Sequence, residues 1–281
     1  MRPTVRSRRL GAKIRYYREE ARLDQTEMGA AIKLKQAQMS NVESGKAKIT
    51  PENLATLVEL LKIPDDAAAR MEELRARAAI PGWWEKYTDI MSEPLQALVE
   101  LESEASWVRI YQGQVIPGLL QTREYAERII SAGSSHVRVG DIDRALELRL
   151  RRKQRLESPD FDLTAVVSEM AIRQQVGGPD VLREQLRYLL QAMREHNVTV
   201  QVVPFTADAH AALGDGFTII QWPAEEDPEA VFVDGLTSWR IHESNPEIRQ
   251  YNHAFASVQT RALSPRNSVK LISNVVKELP T

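Results

Sequence analysis

Between residues 10 and 80, apolar positions recur at spacings of three and four, the period of a helix that buries one face. Leu10, Ile14 and Tyr17 share a face and predict a first helix from Leu10 to Ala21. Met28, Ala31 and Ile32 predict a second. Asp24 stands before it with Glu27 three residues on, the spacing of a capping box: the Asp24 carboxylate accepts from the Glu27 amide, and Glu27 reaches back. Lys33-Leu34-Lys35 interrupts the stripe. A third helix starts near Gln36, with Met39 and Val42 inward and Gln36, Gln38, Ser40 and Asn41 outward. Gly45 ends it as a left-handed residue beyond the last turn. Thr50 as N-cap and Pro51 at the first position open a fourth helix, with Leu54, Leu57, Val58 and Leu61 as its stripe. Pro64 closes that stretch, and a fifth helix runs from about Asp65 to Ala79.

The pattern changes at Ile80-Pro81-Gly82-Trp83-Trp84. All five tryptophans (83, 84, 107, 222, 239) lie beyond residue 80, so a second core with different contents begins there. Helical periodicity covers Ser92 to about Ser106, a stretch from Pro117 that ends near Gly133, and a long charged segment from Asp141 to Glu157. It returns in Pro179–His196, Pro246–Leu263 and Ser268–Leu279. Trp107–Tyr111 alternates as a strand does, and Asp162–Ser168, Val198–Val203, Phe217–Gln221 and Val231–Val233 read as strands. Asp227-Pro228, after the acidic pair Glu225-Glu226, reads as a surface turn. The expected fold is a multi-domain chain: an all-α helix-turn-helix bundle of five helices in residues 1–79, then a larger α+β domain with a mixed sheet in residues 80–281.

Short amphipathic helix pairs occur in many helical proteins, so the pattern needs chemistry before it means anything. Here the outward face of the third helix is rich in amides. Gln and Asn each present a donor and an acceptor together, which matches N6 and N7 of adenine in the major groove. Lys46 and Lys48 follow the helix and suit phosphates, which give affinity and register without reading sequence. Charge is divided in the same way. Residues 1–63 hold 13 Lys and Arg against 7 Asp and Glu, a net of +6, and the remaining 24 and 32 give −8. Contact with DNA is therefore expected at the N-terminal part alone. Arg2, Arg6, Arg8 and Arg9 precede the first predicted helix, either as a flexible arm along the backbone or as a solvated tail. One recognition helix reads only a few base pairs, so a homodimer on an inverted-repeat operator in double-stranded DNA is expected.

The bulk composition narrows the class. A chain of 281 residues with 43% hydrophobic and 27% charged content is ordinary for a soluble globular protein. No apolar run approaches the ~20 residues of a membrane span. The basic N-terminus lacks the apolar segment of a secretory signal. The absence of cysteine excludes disulfides and fits a cytoplasmic location.

Two resemblances follow from longer motifs. Gln25-x-Glu27-Met28 and Met39-Ser40-Asn41-Val42-Glu43-Ser44-Gly45-Lys46 resemble the signature of the Xre, or Cro/phage-repressor, regulators over roughly Leu10 to Ile63. The resemblance implies that Gln36, Ala37, Gln38 and Asn41 face bases. It implies phosphate contacts for Gln25 and for Lys46 or Lys48, to which Ser40 and Arg9 are added, and an internal hydrogen-bonding role for Glu43. The family often has glycine where this chain has Arg22 and Lys33, and a non-glycine residue at positive φ carries a modest penalty. In the second part, Val115 to Ala126, Glu169 to Gly178 and Asn197 to Phe205 are similar to motifs of a domain of unknown function that follows Xre-type helix-turn-helices in actinobacterial regulators. Such proteins are commonly encoded beside a small partner protein and are described as antitoxin-like or developmental regulators. The implied role is a transcriptional regulator whose second domain dimerises and senses a small molecule or a small protein. The alternative is an antitoxin-like protein that neutralises a small neighbour and autoregulates its operon.

Catalytic and metal chemistry find little footing. The histidines at 136, 196, 210, 242 and 253 show no metal-ligand spacing, and neither a nucleophile elbow nor a phosphate loop occurs. No cofactor, metal or catalytic residue is expected. Gly177-Gly178-Pro179 reads as a helix entry. Arg149 to Arg155 is the densest basic run, flanked by Glu147 and Glu157, and Ile142, Leu146, Leu150 and Leu156 share a helical face. A solvated amphipathic helix or a subunit interface is the expected reading. Glu169 and Arg173 lie four apart, and a helix would bring them onto one face. They are either a structural ion pair between two motifs or part of an effector pocket with Tyr111, Arg123, His210 and Phe217.

Overall fold

The computed structural model describes residues 4–133, 138–214, 216–223, 229–235 and 239–280. The expected turn at Asp227-Pro228, His136 and Arg2 fall outside them. The chain divides into two compact units, Met1–Glu85 and Lys86–Thr281.

The described first unit contains helices α1 (Val5–Glu20), α2 (Gln25–Ala31), α3 (Gln36–Glu43), α4 (Pro51–Leu60) and α5 (Asp65–Ala78). Thr4 caps α1 by accepting from the Ser7 amide, and Val5 is only 3% exposed. This corrects the expectation of a loose arm or tail: residues 5–9 are the first turns of α1, because Val5 has a place in the core to fill. Asp24 accepts from the Thr26 and Glu27 amides while Glu27 accepts from the Asp24 amide at 2.8 Å, so the capping box is complete. Ile14, Met28, Met39, Leu57 and Met71 are fully buried and come from all five helices.

Ala31 was expected inward and is exposed; Gly29 is buried instead. The Leu34 amide donates to the Gly29 carbonyl at 2.8 Å, and a Cβ on Gly29 would stand 2.6 Å from the Leu34 oxygen. The chain folds back so tightly there that only glycine fits. Arg22 and Lys33, the two places where glycine is usual in the similar family, hold φ of 57° and 59°, and Gly45 holds 71°.

The second unit is an α+β domain. In chain order its described elements are α6 (Glu93–Glu104), β1 (Trp107–Gln112), α7 (Arg123–Ala132), α8 (Ile142–Lys153), β2 (Asp162–Ser168) and α9 (Glu169–Arg173). Then come α10 (Pro179–Glu195), β3 (Val198–Val203), β4 (Phe217–Gln221), β5 (Ala230–Asp234), β6 (Trp239–His242), α11 (Asn245–Arg261) and α12 (Pro265–Glu278). The six strands form one mixed sheet in the order β3-β2-β1-β4-β5-β6. β1, β2 and β3 run parallel; β4, β5 and β6 continue antiparallel. β2 and β3 alternate at their starts (Leu163-Thr164-Ala165 and Val198-Thr199-Val200) and become buried on both faces further along, through Val166-Val167 and Gln201-Val202-Val203. β6 was not anticipated: it is a four-residue edge strand, too short to show a period.

The basic run on α8 departs from its expected role. It is neither a solvated face nor a free surface for a second subunit, because three of its cations turn inward. Arg152 donates from Nε and Nη2 to the two oxygens of Glu102, at 2.8 Å each, with both side chains 7% exposed. Arg149 donates to Gln121 Oε1 and Lys153 to the Gln121 carbonyl, each at 2.7 Å. Lys153 Nζ also lies 3.9 Å from the centre of the Tyr188 ring. Burial pushes the Arg149 guanidinium below its ordinary value and the Lys153 ammonium down to about 8.

These groups serve the segment Ile116–Thr122, which crosses the interior with a single short turn of 3-10 helix at Gly118–Leu120 as its regular structure. Buried backbone polar groups need partners. Gln185, fully buried on α10, accepts from the Thr122 amide at 2.7 Å and donates to the Leu120 carbonyl at 2.6 Å. Gln121 donates to the Ile116 carbonyl at 2.8 Å. The Pro-Gly-Leu-Leu-Gln-Thr stretch and the basic run are thus two halves of one hydrogen-bonded core.

Candidate nucleic-acid interface

The α2–turn–α3 unit sets one helix against α1 and offers the outer side of α3. Gln36, Ala37, Gln38 and Asn41 are exposed, and Ser40 is half-buried. Met39 and Val42 point into the core, so the periodicity alone decides which side chains face out. Gln38 has a local task as well: its Oε1 accepts from the Lys35 amide at 2.9 Å, closing the start of the helix. Its amide nitrogen makes no hydrogen bond among the described residues. The end of α3 is closed by the chain itself. The Lys46 and Ala47 amides both donate to the Asn41 carbonyl, at 2.8 and 3.0 Å, and Gly45 takes the left-handed conformation that this wrap requires. Lys46 and Lys48 emerge from this loop, exposed.

Glu43 fixes the pose of α3. It is 7% exposed and accepts from Arg18 Nε at 2.6 Å and from Gln25 Nε2 at 2.9 Å. Its hydrogen bond raises the Arg18 guanidinium above its ordinary value. Gln25 in turn accepts from Gln36 Nε2 at 3.4 Å. One chain of polar contacts therefore links α1, α2 and both ends of α3. Arg9 lies within α1 and is half-buried; Gln25 is half-buried at the start of α2. Gly11 allows α1 to cross α3 closely, since a Cβ there would stand 2.4 Å from the Glu43 carbonyl oxygen.

In the second unit the residues considered for an effector pocket separate into groups. Tyr111, His210 and Phe217 come together. The Tyr111 ring meets His210 edge-on at 5.6 Å and lies 6.1 Å from Phe217. Burial raises the Tyr111 hydroxyl and, with Arg261 nearby, lowers His210. Glu169 and Arg173 form a pair at 2.6 Å; Arg173 also reaches Glu278 at 2.8 Å, and Glu169 accepts from the Phe205 amide at 2.9 Å. Arg123 is exposed at the first position of α7 and, among the described residues, shares no hydrogen bond or ring contact with the other five.

Sequence reasoning missed the partners of the aromatic group. Tyr251 and Phe255, one turn apart on α11, meet Phe217 at 5.1 and 6.5 Å. His242 lies 5.1 Å from the Tyr251 ring, and its Nδ1 shares a hydrogen bond with Glu247 at 2.8 Å. Their i, i+4 spacing was visible, yet it marks a packed face as readily as a site. Arg109 lies over the Trp107 ring at 4.8 Å and pairs with Glu229, which also takes a hydrogen bond from Asn252.

A five-helix bundle with an exposed, amide-bearing α3, followed in sequence by a mixed-sheet domain, defines a helix-turn-helix protein with an appended α+β domain. The model of a helix-turn-helix domain family matches residues 9–71. The model of the domain of unknown function DUF5753 matches residues 95–274, well over half of the chain, and the chain belongs to that family. No curated protein and no solved structure matches it. Among the described residues no helix is long and apolar enough to cross a membrane.

Proposed function

We propose that the protein is a sequence-specific, Xre-type transcriptional regulator that acts in the cytoplasm as a homodimer on an inverted-repeat operator. The observation that carries this reading is the outer side of α3: Gln36, Ala37, Gln38 and Asn41 are exposed together while every apolar residue of the helix is buried except Ala37. Asn41 has an unengaged side-chain amide among the described contacts and suits bidentate pairing with adenine. Gln36 is held by Gln25 and is pre-oriented. Gln38 donates, while its oxygen keeps the helix closed. Lys46 and Lys48 supply phosphate contacts, with Gln25, Ser40 and Arg9, each half-buried, as weaker contributors. The second domain dimerises and senses a small molecule or a small protein, with Tyr111, His210 and Phe217 as the polar-aromatic centre of that domain.

The test is operator selection from random duplexes followed by binding at several salt concentrations. Gln36→Ala with Asn41→Ala should cost about 1–3 kcal/mol of discrimination per lost base contact. Lys46→Ala and Lys48→Ala should instead weaken binding to all sequences and lower the salt slope by about one each. Gln38 is left unchanged in this test because its loss would also uncap α3. Binding without sequence preference, unchanged by the first pair of substitutions, would sink the proposal.

A further inference from the structure

Helices α10 and α12 pack against each other and both flank the edge strand β3. A groove of about 350 Å³ runs between them. Its lining is mainly apolar: Leu190 and Met193 from α10, Val198 from β3 and Val269 from α12, with the hydroxyl residues Thr199 and Ser273 among them. Val269 is 37% exposed. Arg194 and Arg266 stand on its rim, both exposed. Lys270 follows Arg266 by one turn and is exposed too.

The charges are unusual for their setting. The other arginines of α10 are paired, Arg183 with Asp180 and Arg187 with Glu184. Among the described residues, Arg194, Arg266 and Lys270 have no ion-pair partner. Arg266 also sits in the first turn of α12, which carries no acidic residue, where the helix dipole disfavours a cation. This unanswered positive rim belongs to a region of the chain, residues 64–281, whose net charge is −8.

We infer that the groove receives an acidic amphipathic helix from a protein partner. Apolar side chains at helical spacing would lie on Leu190, Met193 and Val269, and flanking carboxylates would meet Arg194 and Arg266. A DNA backbone matches the rim but has nothing to set on the apolar lining. The inference rests on the reading of the second domain as a partner-sensing domain and names the partner's chemistry.

The probe is a fluorescein-labelled peptide of about 16 residues, with Leu at i, i+3, i+4 and i+7 and Glu elsewhere on the flanks. Its anisotropy is followed on titration with the full chain. A scrambled peptide and one with Lys for Glu serve as controls. The acidic peptide should bind at least about tenfold more tightly than either control. Arg194→Glu with Arg266→Glu should abolish that preference and confer binding of the Lys peptide. Val269→Asp should weaken the acidic peptide with the melting temperature unchanged. Equal binding of acidic and scrambled peptides overturns the inference. So does a charge reversal that instead weakens random duplex DNA, which would make the groove a phosphate track. Loss of the dimer in sedimentation on the same charge reversal also overturns it, since the occupant would then be a second copy. The two readings fail separately: acidic-peptide binding by a wild type that selects no operator removes the DNA proposal alone, and operator binding kept while acidic and scrambled peptides bind equally removes this inference alone.

Discussion

Gly11→Ala sets two effects of opposite sign against each other in α1. Gly11 lies in the middle of this helix. In an open helix, Ala in place of Gly stabilises by about 1 kcal/mol, because glycine loses more backbone freedom on folding. Here the added Cβ would stand 2.4 Å from the Glu43 oxygen, 2.6 Å from the Val42 oxygen and 2.7 Å from the Glu43 carbonyl carbon. All three are backbone atoms at the end of α3, so no side chain can swing aside. Restoring ordinary contact means parting α1 and α3 by about 1 Å, and overpacking of this kind costs roughly 1–3 kcal/mol or more. Taking the upper part of that range and subtracting the propensity gain leaves a net loss of about 2 kcal/mol. For a domain of this size that lowers the melting temperature by roughly 8–16 °C. Calorimetry on the full chain measures it, and the same shift should loosen the Arg18–Glu43 contact and weaken operator binding well below the melting point. A variant that melts at or above the wild type would refute the reasoning: propensity would then outweigh the crossing, and α1 would not press on α3 as described.

Further expectations follow from the polar core and the turns. Glu102→Gln should destabilise by about 3–5 kcal/mol, because Arg152 is left as an uncompensated buried charge, while Glu102→Leu with Arg152→Met should recover most of the loss; denaturation midpoints compare the two. Burial holds Lys153 at about 8, whereas an unfolded lysine titrates near 10.4. The unfolded chain therefore binds more protons between these values, and stability should rise with pH from about 8 upward, by at most ~1.4 kcal/mol per unit. The rise should vanish in Lys153→Met, and a flat urea midpoint between about pH 7.5 and 9 in the wild type would count against the burial. Arg22→Gly and Lys33→Gly should each raise the melting temperature of the bundle, since a side chain at positive φ costs about 1–2 kcal/mol and glycine's own entropy returns only part of it.

What could be read from the chain is what acts within a few residues. Asp24 and Glu27 cap α2 because their spacing alone brings each side chain to the other's amide. Met39 and Val42 turn inward, and Gln36, Gln38 and Asn41 outward, because the helical period leaves no other arrangement once one face is buried. Arg22, Lys33 and Gly45 occupy turns whose handedness is local, and three of the six strands, β2, β3 and β4, start and end where the sequence pattern does. The tertiary structure alone decided the rest. Glu102 lies 50 residues from Arg152, and Gln121 lies 28 from Arg149. Whether a charged side chain faces water or a carboxylate depends on which distant segment the fold brings to it. A basic run therefore looks like a surface in one dimension and becomes, in three, the group of donors that lets a proline-glycine segment cross the core. The same holds for Val5, whose burial turns an apparent arm into helix, and for Tyr111, His210 and Phe217, which meet only because β1, β4 and the loop before β4 converge on α11. Local spacing fixes the elements and their faces; long-range burial fixes which charges and rings those faces find.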